Sequence, residues 1–171
     1  FEVEQIDATV DFNWGSGSPV AGIGNDRFSV RWEGYVIASD NDDFEFRTRS
    51  DDGVRLYIDN VLVIDNWTNH GPTYDVSAAI TMVAGQQYAI RMEYFETGGG
   101  AVAQLQWQNS SFNWVTIPQS QLLGTCGLPT LSNASFSCAA DNISLTFSEQ
   151  VTTASAEDIN NYSLNRGASV T

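Results

Sequence analysis

Lysine is missing from the chain: all seven cationic side chains are arginine, set against 21 aspartates and glutamates. The formal charge of −14 repels phosphate backbones and anionic headgroups, so nucleic acid and membrane surfaces are poor partners. Histidine occurs once, at His70, and cysteine twice, at Cys126 and Cys138. A structural zinc site needs about four ligands, which these cannot supply. No apolar run approaches the ~18 residues of a membrane span, and no signal peptide is visible. Helix signatures are also nearly absent. What remains is a chain with 42% hydrophobic and 12% aromatic residues, ample for a packed core and too apolar for disorder.

Those apolar residues fall in short alternating runs between turn residues, the pattern of an all-β protein. Phe28, Val30 and Trp32 share one face of a strand, and Tyr35 and Ile37 continue it after a possible bulge at Gly34. The polar turn at 40–43 then predicts a hairpin into 44–49, with Phe44 and Phe46 inward. Residues 54–67 read as two strands joined at Asp59-Asn60, a pair suited to left-handed backbone. Strands follow over 74–96, around Ala84-Gly85, then over 102–108 and 114–118, with a glycine-rich loop at 97–101 between them. The architecture expected is an antiparallel β-sandwich or barrel.

Aromatic density drops after Leu123, and a fresh strand pattern begins near Asn142. About forty residues cannot bury a core alone, so the division expected is one domain over 1–125, then a linker and partial second domain over 126–171. Cys126 and Cys138 flank that boundary with eleven residues between them. A local disulfide is expected in an oxidising compartment, worth roughly 3 kcal/mol if the loop is otherwise flexible.

Asp51-Asp52-Gly53 stands at the mouth of a strand whose alternation runs through Val54, Leu56 and Ile58. Taken alone, the stretch reads first as an Asp-Gly turn and second as a cation site. Successive side chains on a regular strand point to opposite faces, so two neighbouring carboxylates would need an unusual backbone to chelate one ion.

The order of motifs decides between these. "FNWGSGSP" (12–19), "DRFSVRWEGYV" (26–36), "FEFRTRSDDGVRLYIDN" (44–60), "VIDNW" (63–67), "YAIRMEYFETGGGA" (88–101) and "LQWQ" (105–108) occur in succession. Together they resemble the PA-14 domain, over roughly residues 5–123. The tail at 145–164 is similar to the start of a bacterial Ig-like module. The resemblance implies a β-sandwich in which an Asp-Asp pair, joined by a cis peptide in lectin-type members, holds a Ca²⁺ that coordinates sugar hydroxyls. Carried over, it makes Asp51 and Asp52 metal ligands, with Thr97, Gly98 and Gly99 opposite them. Calcium accepts six to eight oxygens at flexible angles. Asp51, Asp52, Trp67, His70 and Gly100 become the candidate sugar contacts.

Other readings of these residues are plainer. His70 buttresses a loop as readily as it binds a ligand, because nothing identifies catalytic partners for it. Trp67 at a strand end is as readily core as sugar platform. Glu93 and Glu96 near the glycine loop have the residue types of a glycosidase pair, but nothing fixes their separation, and no enzymatic activity is expected. The function expected is a calcium-dependent module binding neutral carbohydrate in a secreted or cell-surface bacterial adhesin, as a monomer. A structural spacer and an accessory domain of a glycosidase are the alternatives.

Overall fold

In a computed structural model the described residues are 3–124 and the backbone strands at 131–137 and 142–147. Alternation gives strands throughout: β1 Asp11–Gly15, β2 Phe28–Ile37, β3 Asp42–Asp51, β4 Val54–Ile58, β5 Val61–Asn66, β6 Thr73–Val76, β7 Ile80–Met82, β8 Gln87–Glu96, β9 Ala101–Asn109, β10 Phe112–Thr116 and β11 Leu122–Gly124. One 3₁₀ turn at Gln119–Gln121 is the sole helical element among the described residues. The chain divides into two compact units, Phe1–Thr125 and Cys126–Thr171. In the second, β12 Leu131–Ser137 and β13 Asn142–Phe147 pair antiparallel. The expected Ig-like segment otherwise lies outside the described residues. So does the expected Cys126–Cys138 bridge.

The first unit is an antiparallel β-sandwich. One sheet runs β1-β9-β3-β6, with β10 also on β9 and β7 also on β3; the other runs β11-β2-β8-β4-β5. Period-2 alternation sends Phe44, Phe46, Thr48 and Ser50 of β3 inward, facing Ile90, Met92 and Tyr94 of β8 from the other sheet. Two aromatic nests fill the interior. Phe12, Trp14, Phe28 and Trp32 gather around Tyr94. Phe44, Phe46 and Phe112 surround Trp107, which is fully buried. Such packed aromatic pairs add about 0.5–1.5 kcal/mol beyond their area.

Two local expectations fail. The turn at 40–43 closes no hairpin, because β2 pairs with β8 and β11 while β3 pairs with β6, β7 and β9. The chain arches from one sheet to the other, since each of β2 and β3 has an inward apolar face that must meet the opposite layer. The arch is tied by Ser110 donating to Asp42, Thr81 to Asp43 and the Ala84 amide to Asn41. Nor is there a bulge at Gly34. The β2–β8 register is continuous from Phe28 to Ile37, so Gly34 and Val36 point inward and Tyr35 is 40% exposed. The Asp59-Asn60 turn is as expected, both residues left-handed at φ 48° and 64°.

Gly34 is required by its neighbour. A Cβ there would run into the Leu123 carbonyl of β11. Gly34→Ala should therefore loosen β11 and cost about 1–3 kcal/mol, the range for overpacking, read as a lower urea midpoint. A midpoint equal to the parent's would show that β11 is held by something other than this close approach.

Candidate functional site

Strand β3 ends at Asp51 and β4 starts at Val54, so the acidic pair sits where the chain passes between the sheets. The Asp51–Asp52 peptide bond is cis. Asp51 is half-buried and Asp52 is 6% exposed. The alternation of β8 brings a third carboxylate: Glu96, its last residue, is 1% exposed. Oxygens of Asp51, Asp52 and Glu96 all lie within 4.8 Å of one another.

The three have different partners. Asp52 is a tether. Its Oδ1 accepts the His70 amide at 3.0 Å, and its Oδ2 accepts the Thr97 amide and hydroxyl at 2.9 and 2.6 Å. Two loops are thus fastened to one carboxylate, using three of its roughly four acceptor positions. Glu96 accepts the Tyr94 hydroxyl on Oε2 at 3.2 Å, while its Oε1 is buried without a partner. The same Tyr94 hydroxyl also donates to the Asp51 carbonyl. The site therefore rests directly on the aromatic nest around Tyr94.

Burial, and then the neighbouring Asp52 charge, push both Asp51 and Glu96 above their ordinary carboxylate values. The Tyr94 phenol is raised far above its usual range, by burial first and Glu96 second. A buried group with one unpartnered oxygen and two anionic neighbours is poorly compensated. All the donors are hard oxygens, the set that suits a calcium-type cation. The group fits one.

The expected site residues scatter in role. Thr97 faces Asp52 through both its amide and its hydroxyl. Gly98 and Gly99 approach Asp26: the Gly99 amide donates to Asp26 Oδ1 at 3.3 Å, and a Cβ at Gly98 would lie 3.9 Å from that oxygen. Gly100 approaches Asp51, a Cβ there lying 3.6 Å from Oδ2. His70 is held by its backbone, with Nδ1 at 2.8 Å from the Gly71 carbonyl and Nε2 buried without a partner. Trp67 packs edge-on against Phe95 at 4.7 Å and carries the Arg55 guanidinium 4.8 Å from its ring centre. One face of that ring is therefore taken. Sequence reasoning missed Asp26 altogether and weighed Glu96 only as half of a glycosidase pair. The alternation of "EYFE" beside β4, where Val54 stands opposite Tyr94, was the available signal for Glu96.

A PA14 domain family model matches residues 1–121. The chain belongs to the PA14 domain family. It is 42% identical over 127 residues to the anti-sigma-I factor RsgI3 of Acetivibrio thermocellus, a match covering 74% of this chain and 20% of that protein. A solved anti-sigma factor domain-containing protein is 40% identical, with a TM-score of 0.72, over 78% of this chain and 46% of its own. A PA14 sugar-binding domain from an RTX adhesin superposes with a TM-score of 0.57 at 15% identity, over 68% of this chain and 76% of its own, which is a likeness of fold alone. These relatives overturn the expected adhesin. The relatives at 40–42% identity bear the anti-sigma factor name, not that of an adhesin. The chain spans less than half the length of either.

The partner geometry separates the two aspartates. Asp52→Ala leaves two amides and a hydroxyl without their acceptor, so it should destabilise even the calcium-free protein by about 1–3 kcal/mol. Asp51→Asn should do the opposite and raise the calcium-free melting temperature. The sign follows from the raised folded value of Asp51. Its protonated form is favoured by folding, so stability from this group is full below the ordinary 3.8 and lost as pH rises through the raised value. The gain from Asp51→Asn should vanish below that range and open above it in thermal melts. A gain independent of pH would be the contrary result.

Proposed function

We propose that this module is the sensing part of a longer regulatory protein of the anti-sigma-factor kind, and that its acidic site works by holding Ca²⁺. The observation that carries the calcium reading is the Glu96 Oε1 atom, buried without a partner beside Asp51 and Asp52. The regulatory reading is supported by relatives at 40–42% identity that bear the anti-sigma name. Residues 51 and 52 would hold the cation, with Glu96 behind them and the backbone around Thr97, Gly98 and Gly99 closing the site. Calcium would supply open coordination positions for neutral hydroxyls of a carbohydrate, and His70 and Gly100 line the same end.

The role is recognition and not turnover, with the module facing the outside of the cell. Residues 126–171 then serve as a linker and the start of an Ig-like module toward the rest of the protein. A vicinal diol competes with water at such an ion, so a single sugar should bind at about millimolar strength, equivalent to only about 4 kcal/mol.

Two measurements test the reading. Calcium titration should raise the melting temperature of the parent reversibly with chelator, and Asp51→Asn should remove that rise. In the full-length protein, Asp51→Asn should leave sigma-factor capture intact while abolishing its response to extracellular carbohydrate. Failure of the parent to take up calcium would sink the metal site, and an unchanged response in the variant would sink the sensing role.

A further inference from the structure

We infer that the outward face of the six-stranded sheet is a second binding site, in which Arg47 and Arg49, framed by Tyr74 and Trp114, grip carboxylates of an extended acidic oligosaccharide. This deepens the sensing reading by naming the class of saccharide, while its residues lie outside the calcium site.

Arg47 and Arg49 are two apart on β3 and so share a face. Across β9 they stand opposite Gln106 and Gln104; across β6, opposite Val76 and Tyr74. Each guanidinium uses little of its donor capacity. Arg47 donates to Gln106 Oε1 from Nε at 3.0 Å and from Nη2 at 2.5 Å, and Arg49 donates to Gln104 Oε1 at 3.3 Å. A guanidinium has five N–H donors. Among the described residues, neither arginine has a carboxylate within 4.0 Å, whereas Arg31, Arg55 and Arg91 on the other sheet each have one. In a chain with 21 acidic residues, these two adjacent arginines are paired with amides and keep free guanidinium donors on this face, with Glu45 and Asp51 of the same strand flanking them.

The pair is also pre-organised. The Arg47 guanidinium lies 4.5 Å from the ring centres of both Tyr74 and Trp114, and that of Arg49 lies 5.8 Å from Tyr74. Stacking fixes the plane of the fork, which suits two-point recognition of a planar carboxylate. Tyr74 and Val76 are 55% and 50% exposed, which offers apolar surface for the C–H faces of sugar rings.

An acidic peptide is the less suitable occupant. Peptides that bind sheets gain most by adding a strand to an open edge, and β3 is flanked by β9 and β6 on its two sides at Arg47 and Arg49. The same strand continues to Asp51, two residues beyond Arg49. A saccharide lying along β3 would meet guanidiniums first and the calcium end next.

Isothermal titration of the 171-residue chain with short oligogalacturonates, and with matched neutral galacto-oligosaccharides, decides the matter. The acidic oligomer should bind more tightly, and added salt should weaken it. Arg47→Gln and Arg49→Gln should each lower its affinity about tenfold, the effect of one charge-assisted contact, and leave the neutral oligomer unchanged; Arg47→Gln should also leave calcium uptake unchanged. Arg47→Lys should lose nearly as much, because an ammonium lacks the fork. Arg49→Gln touches no stack closer than 5.8 Å and serves if Arg47→Gln melts early. Equal binding of acidic and neutral oligomers, or arginine variants that bind like the parent, would overturn the assignment. So would a glutamate-rich peptide competing as well as the oligogalacturonate. If calcium uptake fails while the arginine-dependent preference persists, the metal reading falls and this one stands.

Discussion

Three carboxylates within 4.8 Å of one another, two of them almost wholly buried, cannot all be ionised without compensation. The structure meets this demand in part. Asp52 accepts three hydrogen bonds from the His70 and Thr97 loops, and Glu96 accepts one from Tyr94. The remainder, an unpartnered oxygen on Glu96 and the raised Asp51, is left for a cation or a proton. The positions of the two loops, the direction of the Tyr94 hydroxyl and the closure of that end of the sandwich all depend on this acidic group.

The same demand links the site to the core. Tyr94 packs among Trp14, Phe28 and Trp32, yet its hydroxyl reaches both Asp51 and Glu96. A change in the charge of the site is therefore applied to a side chain lodged in the hydrophobic interior. The loops are held from the opposite side through Asp52. A sensing module needs this kind of connection between ligand and scaffold, because a site carried on free loops would change without moving anything else.

Much of the sandwich was legible in the residues. Period-2 alternation located the inward Phe44 and Phe46, the left-handed preference of Asp59-Asn60 located the β4–β5 hairpin turn, and the motif order located Asp51 and Asp52. What was hidden required partners distant in sequence. Whether a polar turn closes a hairpin or an arch depends on which strand offers the free edge, and β2 found β8 some sixty residues on. Gly34 looked like a bulge because the Leu123 carbonyl that excludes a Cβ is far away in the chain. Asp26 and Glu96 join the site through register alone. The regulatory setting was the least legible, since residues that shape a binding module carry no mark of the protein to which it is attached.

The pairing of the first three strands has a consequence for how the molecule is made. β1 pairs with β9, β2 with β8 and β11, and β3 with β6, β7 and β9, so none of the three pairs with another. On a ribosome the first half of the domain can form little beyond the β4–β5 hairpin; β6 and β7 can then join β3, and the remaining pairings wait for β8 and β9 to emerge. The carboxylates at 51, 52 and 96 come together in that same late step. A chain halted before β8 is complete would hold neither the sandwich nor the third acid, so the acidic site exists only in the finished domain.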